Sequence, residues 1–293
     1  MTNSISWNIL VSMRPRQWSK NMLVFAALLF SKHVFDPAYV LKSLCAFALW
    51  CAVSGGVYIV NDLFDRKKDT LNPRTARRPV ASGALSPRAA SAAAAALIVG
   101  SLAASVLISV PFAAVMAAYL SLTLSYTLWL RNVVIVDILV VALGFVLRAI
   151  AGGVAIGVEV SDWLLICTML LALFLVISKR RYELTRLGEE KGEFRESLKG
   201  YSLNFIDQMV AIVTSTTLVA YAFYTISDVT VNKFHTDKLK FTIPFVLYGI
   251  FRYLYIVYHQ KLGESPETIL IKDRPFLINL SLWVASLLAI LYF

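Results

Sequence analysis

Asn61-Asp62-Leu63-Phe64-Asp65-Arg66-Lys67-Lys68-Asp69 ends an apolar run of about twenty residues and opens a strongly charged segment. On a helix its three aspartates, at i, i+3 and i+7, share one face. Like charges that close repel unless a cation lies among them. Mg²⁺ suits the position, because this hard ion takes one or two protein carboxylates and completes its octahedron with water and phosphate oxygens. Arg74-Thr75-Ala76-Arg77-Arg78-Pro79 follows at once, and guanidinium groups pair bidentately with phosphate. The stretch reads as a site for a metal-bridged diphosphate at a membrane edge. The plainer alternative is an inert, solvated helix end; Asn61 in front and the basic run behind weigh against it.

The surroundings are far too apolar for a soluble domain. Of 293 residues, 58% are hydrophobic, and the mean hydropathy is +0.69. The chain is expected to be all-α and polytopic, with about nine spans near 21–36, 39–61, 88–110, 112–130, 133–157, 162–179, 205–227, 241–260 and 275–293. The expected organisation is a single integral-membrane domain over 1–293, with loops at about 62–87 and 180–204 on the cytoplasmic side. With the N-terminus inside, most of the 28 Lys and Arg fall on cytoplasmic segments. The net charge of +10 therefore reports topology first, and no nucleic acid is expected. Met1 to Val11 has neither the charged start nor the cleavage site of a signal peptide. The two charged loops follow helices four spans apart, a loose echo suggesting two four-span halves whose loops lie over one cavity. Ala89 to Ala96, Gly55-Gly56 and Gly152-Gly153 read as places where helix backbones approach closely, and the last pair, with Gly157, could also bend its span.

Further candidates follow the same logic. Arg16 and Lys20 in Arg14-Pro15-Arg16-Gln17-Trp18-Ser19-Lys20-Asn21 are four apart, so on a helix they share a face; Lys20 could reach a phosphate, or the segment could simply anchor on anionic headgroups. Asp137, Arg148 and Arg252 fall within spans, where charge is costly and usually faces the bundle interior or a wet cavity. Arg148 is read as a ligand-facing cation. Lys179, Arg180 and Glu183 close the sixth span; the cations complement the helix dipole there and could also bind phosphate. Glu189, Glu190, Glu193 and Glu196 read as a solvated face. Cys45, Cys51 and Cys167 have no ligand spacing and read as buried small hydrophobes. His33, His235 and His259 likewise show no metal pattern.

The motif N-D-x-x-D-x-x-x-D after a second span, followed by Arg78-Pro79-Val80-Ala81-Ser82-Gly83, resembles the UbiA superfamily of intramembrane prenyltransferases. Arg14 to Asn21, Leu147-Arg148-Ala149-Ile150-Ala151-Gly152-Gly153 and Ser178-Lys179-Arg180-Arg181-Tyr182-Glu183-Leu184 resemble its decaprenyl-phosphate phosphoribosyltransferase branch, as does the stretch from Pro244 through Arg252-Tyr253 to Pro266-Glu267 and Asp273-Arg274. The resemblance implies nine helices around a central cavity, Mg²⁺ dependence and a polar cytoplasmic cap. It implies transfer of 5-phosphoribose from phosphoribosyl pyrophosphate to a polyprenyl phosphate, in a bacterial inner membrane, serving cell-envelope precursor synthesis. Carried over, Asp62 and Asp65 would hold Mg²⁺, with Asn61 and Asp69 in support; Lys20, Arg77, Lys179 and Arg180 would bind phosphates, and Glu183 would belong to a second motif. The second loop lacks the D-x-x-x-D of many prenyl-diphosphate users, and Tyr182 stands one position off the related K-R-Y-x-E order. Two alternatives stay open: a prenyltransferase using a prenyl diphosphate and an aromatic or other acceptor, and a transporter of an anionic solute. A homo-oligomer is compatible with the sequence.

Overall fold

The computed structural model describes residues 4–73, 75–186, 196–259 and 272–293. Pro266, Glu267, Glu189, Glu190 and Glu193 lie outside them. The protein is an all-α integral membrane protein, and the described residues form no strand. Its helices are α1 (Ile5–Ser12), α2 (Ala26–Phe30), α3 (Pro37–Phe64), α4 (Arg66–Leu71), α5 (Pro87–Ile108), α6 (Val110–Leu128), α7 (Val136–Ile156), α8 (Asp162–Arg186), α9 (Leu203–Ile226), α10 (Asp228–Phe234), α11 (Ile243–His259) and α12 (Arg274–Tyr292). Eight helical segments among the described residues are long and apolar enough to cross a bilayer. The span expected near 21–36 takes a different form, a 3-10 helix over Pro15–Phe25 followed by the five-residue α2.

Local sequence sets the boundaries. Asp36, Ser86, Ser109, Ser202 and Asp273 each accept a bond from a first-turn N–H of α3, α5, α6, α9 and α12 respectively. Proline stands at the first or second helical position of α3, α5, α6 and α12, where its missing N–H costs nothing. Gly157, at φ 71, ends α7 in the left-handed conformation.

The chain divides into two compact units that part between Val160 and Ser161. The first contains α3, α5, α6 and α7, the second α8, α9, α11 and α12, so four long helices fall in each half. In lipid, burial of apolar surface does not itself drive helices together, so close van der Waals packing must. The first unit shows how. Ala90 and Ala94, one turn apart, are buried against α3, and a Cβ on Gly56 would lie 2.7 Å from Ile98 Cγ1. Gly152 touches the backbone of Val24, and Gly153 meets Val158 and Val160 as the chain turns back after α7. The glycine pair thus serves close approach, and α7 runs unbroken through it. Trp50, Phe112, Met116 and Tyr119 fill the space between α3 and α6. Cys51 is buried there, whereas Cys45, expected inside, is exposed.

In the second unit Asp273 caps α12 and also receives both Nε and Nη2 of Arg252, at 3.1 and 2.8 Å. The guanidinium bonds hold the Asp273 carboxyl below its ordinary range. A depressed carboxylate stabilises the fold above its unfolded pKa, and that contribution disappears as pH falls through the folded value. The thermal stability lost in Asp273→Asn should accordingly be constant from neutrality to about pH 5 and shrink steadily as pH falls below the ordinary carboxylate range. A difference that grows on acidification would show the sign to be wrong.

Candidate active site

Asp62 occupies the last turn of α3 and is 2% exposed. Its Oδ1 accepts from Arg14 Nη2 at 2.5 Å and from Arg78 Nη1 at 3.2 Å. The same Arg78 nitrogen donates to Asp69 Oδ2 at 2.8 Å. Asp65, where α3 gives way to α4, pairs instead with Arg131 at 2.9 Å. Asn61 Oδ1 accepts from Thr127 Oγ1 at 2.5 Å. Arg14, Asn61, Asp65, Arg78, Tyr126, Thr127 and Arg131 line a cleft of about 90 Å³. The common face expected for the aspartates is realised for two of them, which converge on one guanidinium; the third is drawn to Arg131.

The arginines reach this cleft from three loops. Arg14 follows α1 and takes φ 55, ψ 65, a left-handed conformation that costs a non-glycine residue about 1 kcal/mol or more. Its ion pair and its position 5.0 Å from the Tyr58 ring centroid account for its being held there. Arg78 sits in the turn before Pro79, where its N–H bonds Thr75 O and its carbonyl receives Ser82 N–H. Arg131 lies in a single 3-10 turn after α6.

Sequence reasoning chose Lys20 and Arg77 where the structure brings Arg14 and Arg78. The reason is helix type. Residues 15–25 are 3-10 helical, so side chains three apart eclipse and a four-residue spacing no longer marks a face. Lys20 donates to Gln17 at 2.5 Å. Arg77 is exposed. Sequence reasoning does not single out Arg131; its signal is a cation directly after the span expected over 112–130, four residues beyond Thr127.

Arg148 is buried on α7 and belongs to a different network. Its Nε donates to Asn21 Oδ1 at 2.8 Å, Nη1 to Gly144 O at 2.6 Å and Nη2 to the Tyr119 hydroxyl at 3.0 Å. Asn21 in turn donates to Ser54 Oγ at 3.1 Å and Cys51 Sγ at 3.3 Å. These bonds tie the 3-10 segment to α3, α6 and α7. Asp137, in the first turn of α7, is fully buried. In the second unit Arg180, 3% exposed, donates to Glu183 at 2.6 Å, and Lys179 stands 4.0 Å from the same carboxylate.

No three His, Cys, Asp or Glu side chains among the described residues form a metal cage by themselves. The donor set still fits an ion bound mainly through its substrate. One cationic nitrogen already bridges Asp62 and Asp69, and Mg²⁺ with phosphate ligands needs only one or two protein carboxylates.

The family model described as UbiA prenyltransferase family matches residues 22–195. The chain is similar to the decaprenyl-phosphate phosphoribosyltransferase of Mycolicibacterium smegmatis, 33% identical over 97% of this chain and 92% of that protein. The protein of the same name from Corynebacterium glutamicum is 29% identical over 96% of this chain and 86% of its own length. Among solved structures, a UbiA homolog from Archaeoglobus fulgidus bound to GPP and Mg²⁺ superposes with a TM-score of 0.71, covering 98% of this chain and all of that one at 21% identity, which shows the shared fold. By its matched sequence and its helical architecture, the chain belongs to the UbiA prenyltransferase family.

Proposed function

We propose that the protein transfers 5-phosphoribose from phosphoribosyl pyrophosphate to a polyprenyl phosphate, releasing pyrophosphate. The observation that carries this is the 33% identity, over nearly the whole of both chains, to a protein named decaprenyl-phosphate phosphoribosyltransferase. The cleft supports it chemically. Three guanidinium groups alternate with three carboxylates, so the cluster is close to neutral. Such a site suits neither a bare cation nor a bare anion; it suits a diphosphate that arrives with its own divalent metal.

Asp62 and Asp65 are the proposed ligands of that ion, with Asp69 and Asn61 fixing their surroundings. When bound, Mg²⁺ supplies charge neutralisation to the leaving pyrophosphate. Arg14, Arg78 and Arg131 orient the diphosphate and stabilise the negative charge it gains as the ribose C1–O bond breaks. An oxygen of the lipid phosphate forms the new bond to C1 while the electron pair of the old one leaves with pyrophosphate. The acceptor is already anionic near neutral pH, so no strong general base is required. Lys20, Arg77, Arg148, Lys179, Arg180 and Glu183 remain proposed contacts to the substrates beyond this cleft. The proposed setting is a bacterial inner membrane with the cleft facing the cytoplasm, as the distribution of basic residues suggests.

The test is radiolabel transfer by purified protein given Mg²⁺, labelled phosphoribosyl pyrophosphate and polyprenyl phosphates of several lengths. Lipid-phase label that disappears with EDTA is the expected result. The structural likeness to a homolog bound to GPP keeps prenyl transfer as the second reading. Turnover of a prenyl diphosphate, with none of phosphoribosyl pyrophosphate, would establish it instead.

A further inference from the structure

α8, α9 and α11 bring a second polar cluster together at one end of the second unit. Arg181 Nε donates to Asp207 Oδ1 at 2.6 Å, and the Tyr258 hydroxyl donates to the same oxygen at 2.7 Å. The Arg181 guanidinium lies 3.8 Å from the Tyr258 ring centroid. Beyond the cluster a groove of about 490 Å³ runs between α9 and α11. Val210, Ala211 and Thr214 form one wall, Phe251, Leu254 and Tyr255 the other. Each helix presents a face of i, i+3, i+4 spacing, and from Asp207 to Ser215 α9 rises about 12 Å. Phe251 is 59% and Tyr255 47% exposed, so the groove is open on the surface. On a membrane helix that surface meets lipid.

The polar end carries both signs of charge with bonding capacity left over. Arg181 bonds Asp207 through Nε and also interacts with the Tyr258 hydroxyl, while Asp207 accepts at Oδ1; among the described residues this leaves Asp207 Oδ2 and the remaining N–H groups of the guanidinium to meet a ligand. Asp207 and Tyr258 lie close to helix termini, at the depth of lipid headgroups. We propose that this groove binds a zwitterionic aminophospholipid of the phosphatidylethanolamine type. Its phosphate pairs with the Arg181 Nη groups, its ammonium donates to Asp207 Oδ2, and one acyl chain lies along the groove. The charge pattern selects this headgroup. A purely anionic lipid meets the Asp207 carboxylate, and a choline headgroup has no N–H to donate to it. The proposal stands apart from the transfer reaction and uses none of its cleft.

Native mass spectrometry tests it. The full chain in detergent is incubated with equimolar phosphatidylethanolamine, phosphatidylcholine and phosphatidylglycerol of identical acyl chains. The expected ethanolamine adduct exceeds each of the others about tenfold, the factor that one well-placed charged hydrogen bond supplies. Asp207→Asn should abolish the preference over choline. Ser215→Trp, at an exposed groove-lining position, should reduce all three adducts while leaving the headgroup cluster intact. Equal adducts, a preference for phosphatidylglycerol, or an ethanolamine preference that survives Asp207→Asn would each overturn the proposal. So would displacement of the lipid by an added polyprenyl phosphate whose own adduct is lost in Ser215→Trp, since the groove would then be an acceptor site.

Discussion

Replacing Asp62 by asparagine is expected to lower phosphoribosyl transfer by roughly two to three orders of magnitude, the scale at which losing one preorganised charged group slows an enzyme. Asp62 is the most deeply buried of the three motif aspartates, and it alone receives two guanidinium groups. The amide keeps the shape but removes the charge that two arginines and the proposed metal ion share. Asparagine is the informative replacement. Alanine would leave Arg14 and Arg78 without their carboxylate and confound chemistry with folding, because breaking a buried pair at one partner is strongly destabilising. Binding gives a second readout. A ligand that binds only the folded state raises the thermal midpoint, so Mg²⁺ with phosphoribosyl pyrophosphate should stabilise the wild type and leave Asp62→Asn nearly unmoved. Wild-type activity in the variant would remove the aspartate from the mechanism. A Mg²⁺-dependent midpoint shift in both proteins would place the metal elsewhere.

The largest effect on stability is expected at Gly152. An added Cβ would lie 2.0 Å from the carbonyl oxygen of Val24 and 2.8 Å from its carbon. Those are backbone atoms and cannot rotate away, so either α7 or the 3-10 segment must move. That displacement also strains the Arg148–Asn21 bond one turn earlier on α7. Gly152→Ala is expected to cost more than about 3 kcal/mol, at or above the upper end for overpacked sites. Gly100→Ala is the control. Nothing lies within 4 Å of that position on α5, so alanine should be neutral or stabilise the helix by up to about 1 kcal/mol. Thermal midpoints in detergent would decide it, and equal behaviour of the two variants would refute the close-approach account.

Much of this could be read from the residues. Hydropathy runs are local, and lipid requires every span to satisfy its own backbone, so helix positions followed from sequence with little tertiary correction. The caps and prolines at the helix starts are local signals of the same kind. Charge at a span end is also a local property, and it located Asp62, Asp65 and Asp69. The sequence could not tell which cations meet them. Arg14 and Arg131 lie far along the chain from their carboxylates, and the choice between Arg77 and Arg78 turned on the path of one loop. In the N-terminal segment a spacing argument presupposes a helix type, and 3-10 geometry places Lys20 beside Gln17. Arg148 shows the limit most plainly. Sequence established that a cation sits deep in a span. Only packing revealed that Asn21, Gly144 and Tyr119 supply its acceptors. Periodicity and composition are properties of neighbours in the chain and determine the helices; the pairing of distant side chains depends on how those helices are set against one another, and only the tertiary structure decides that.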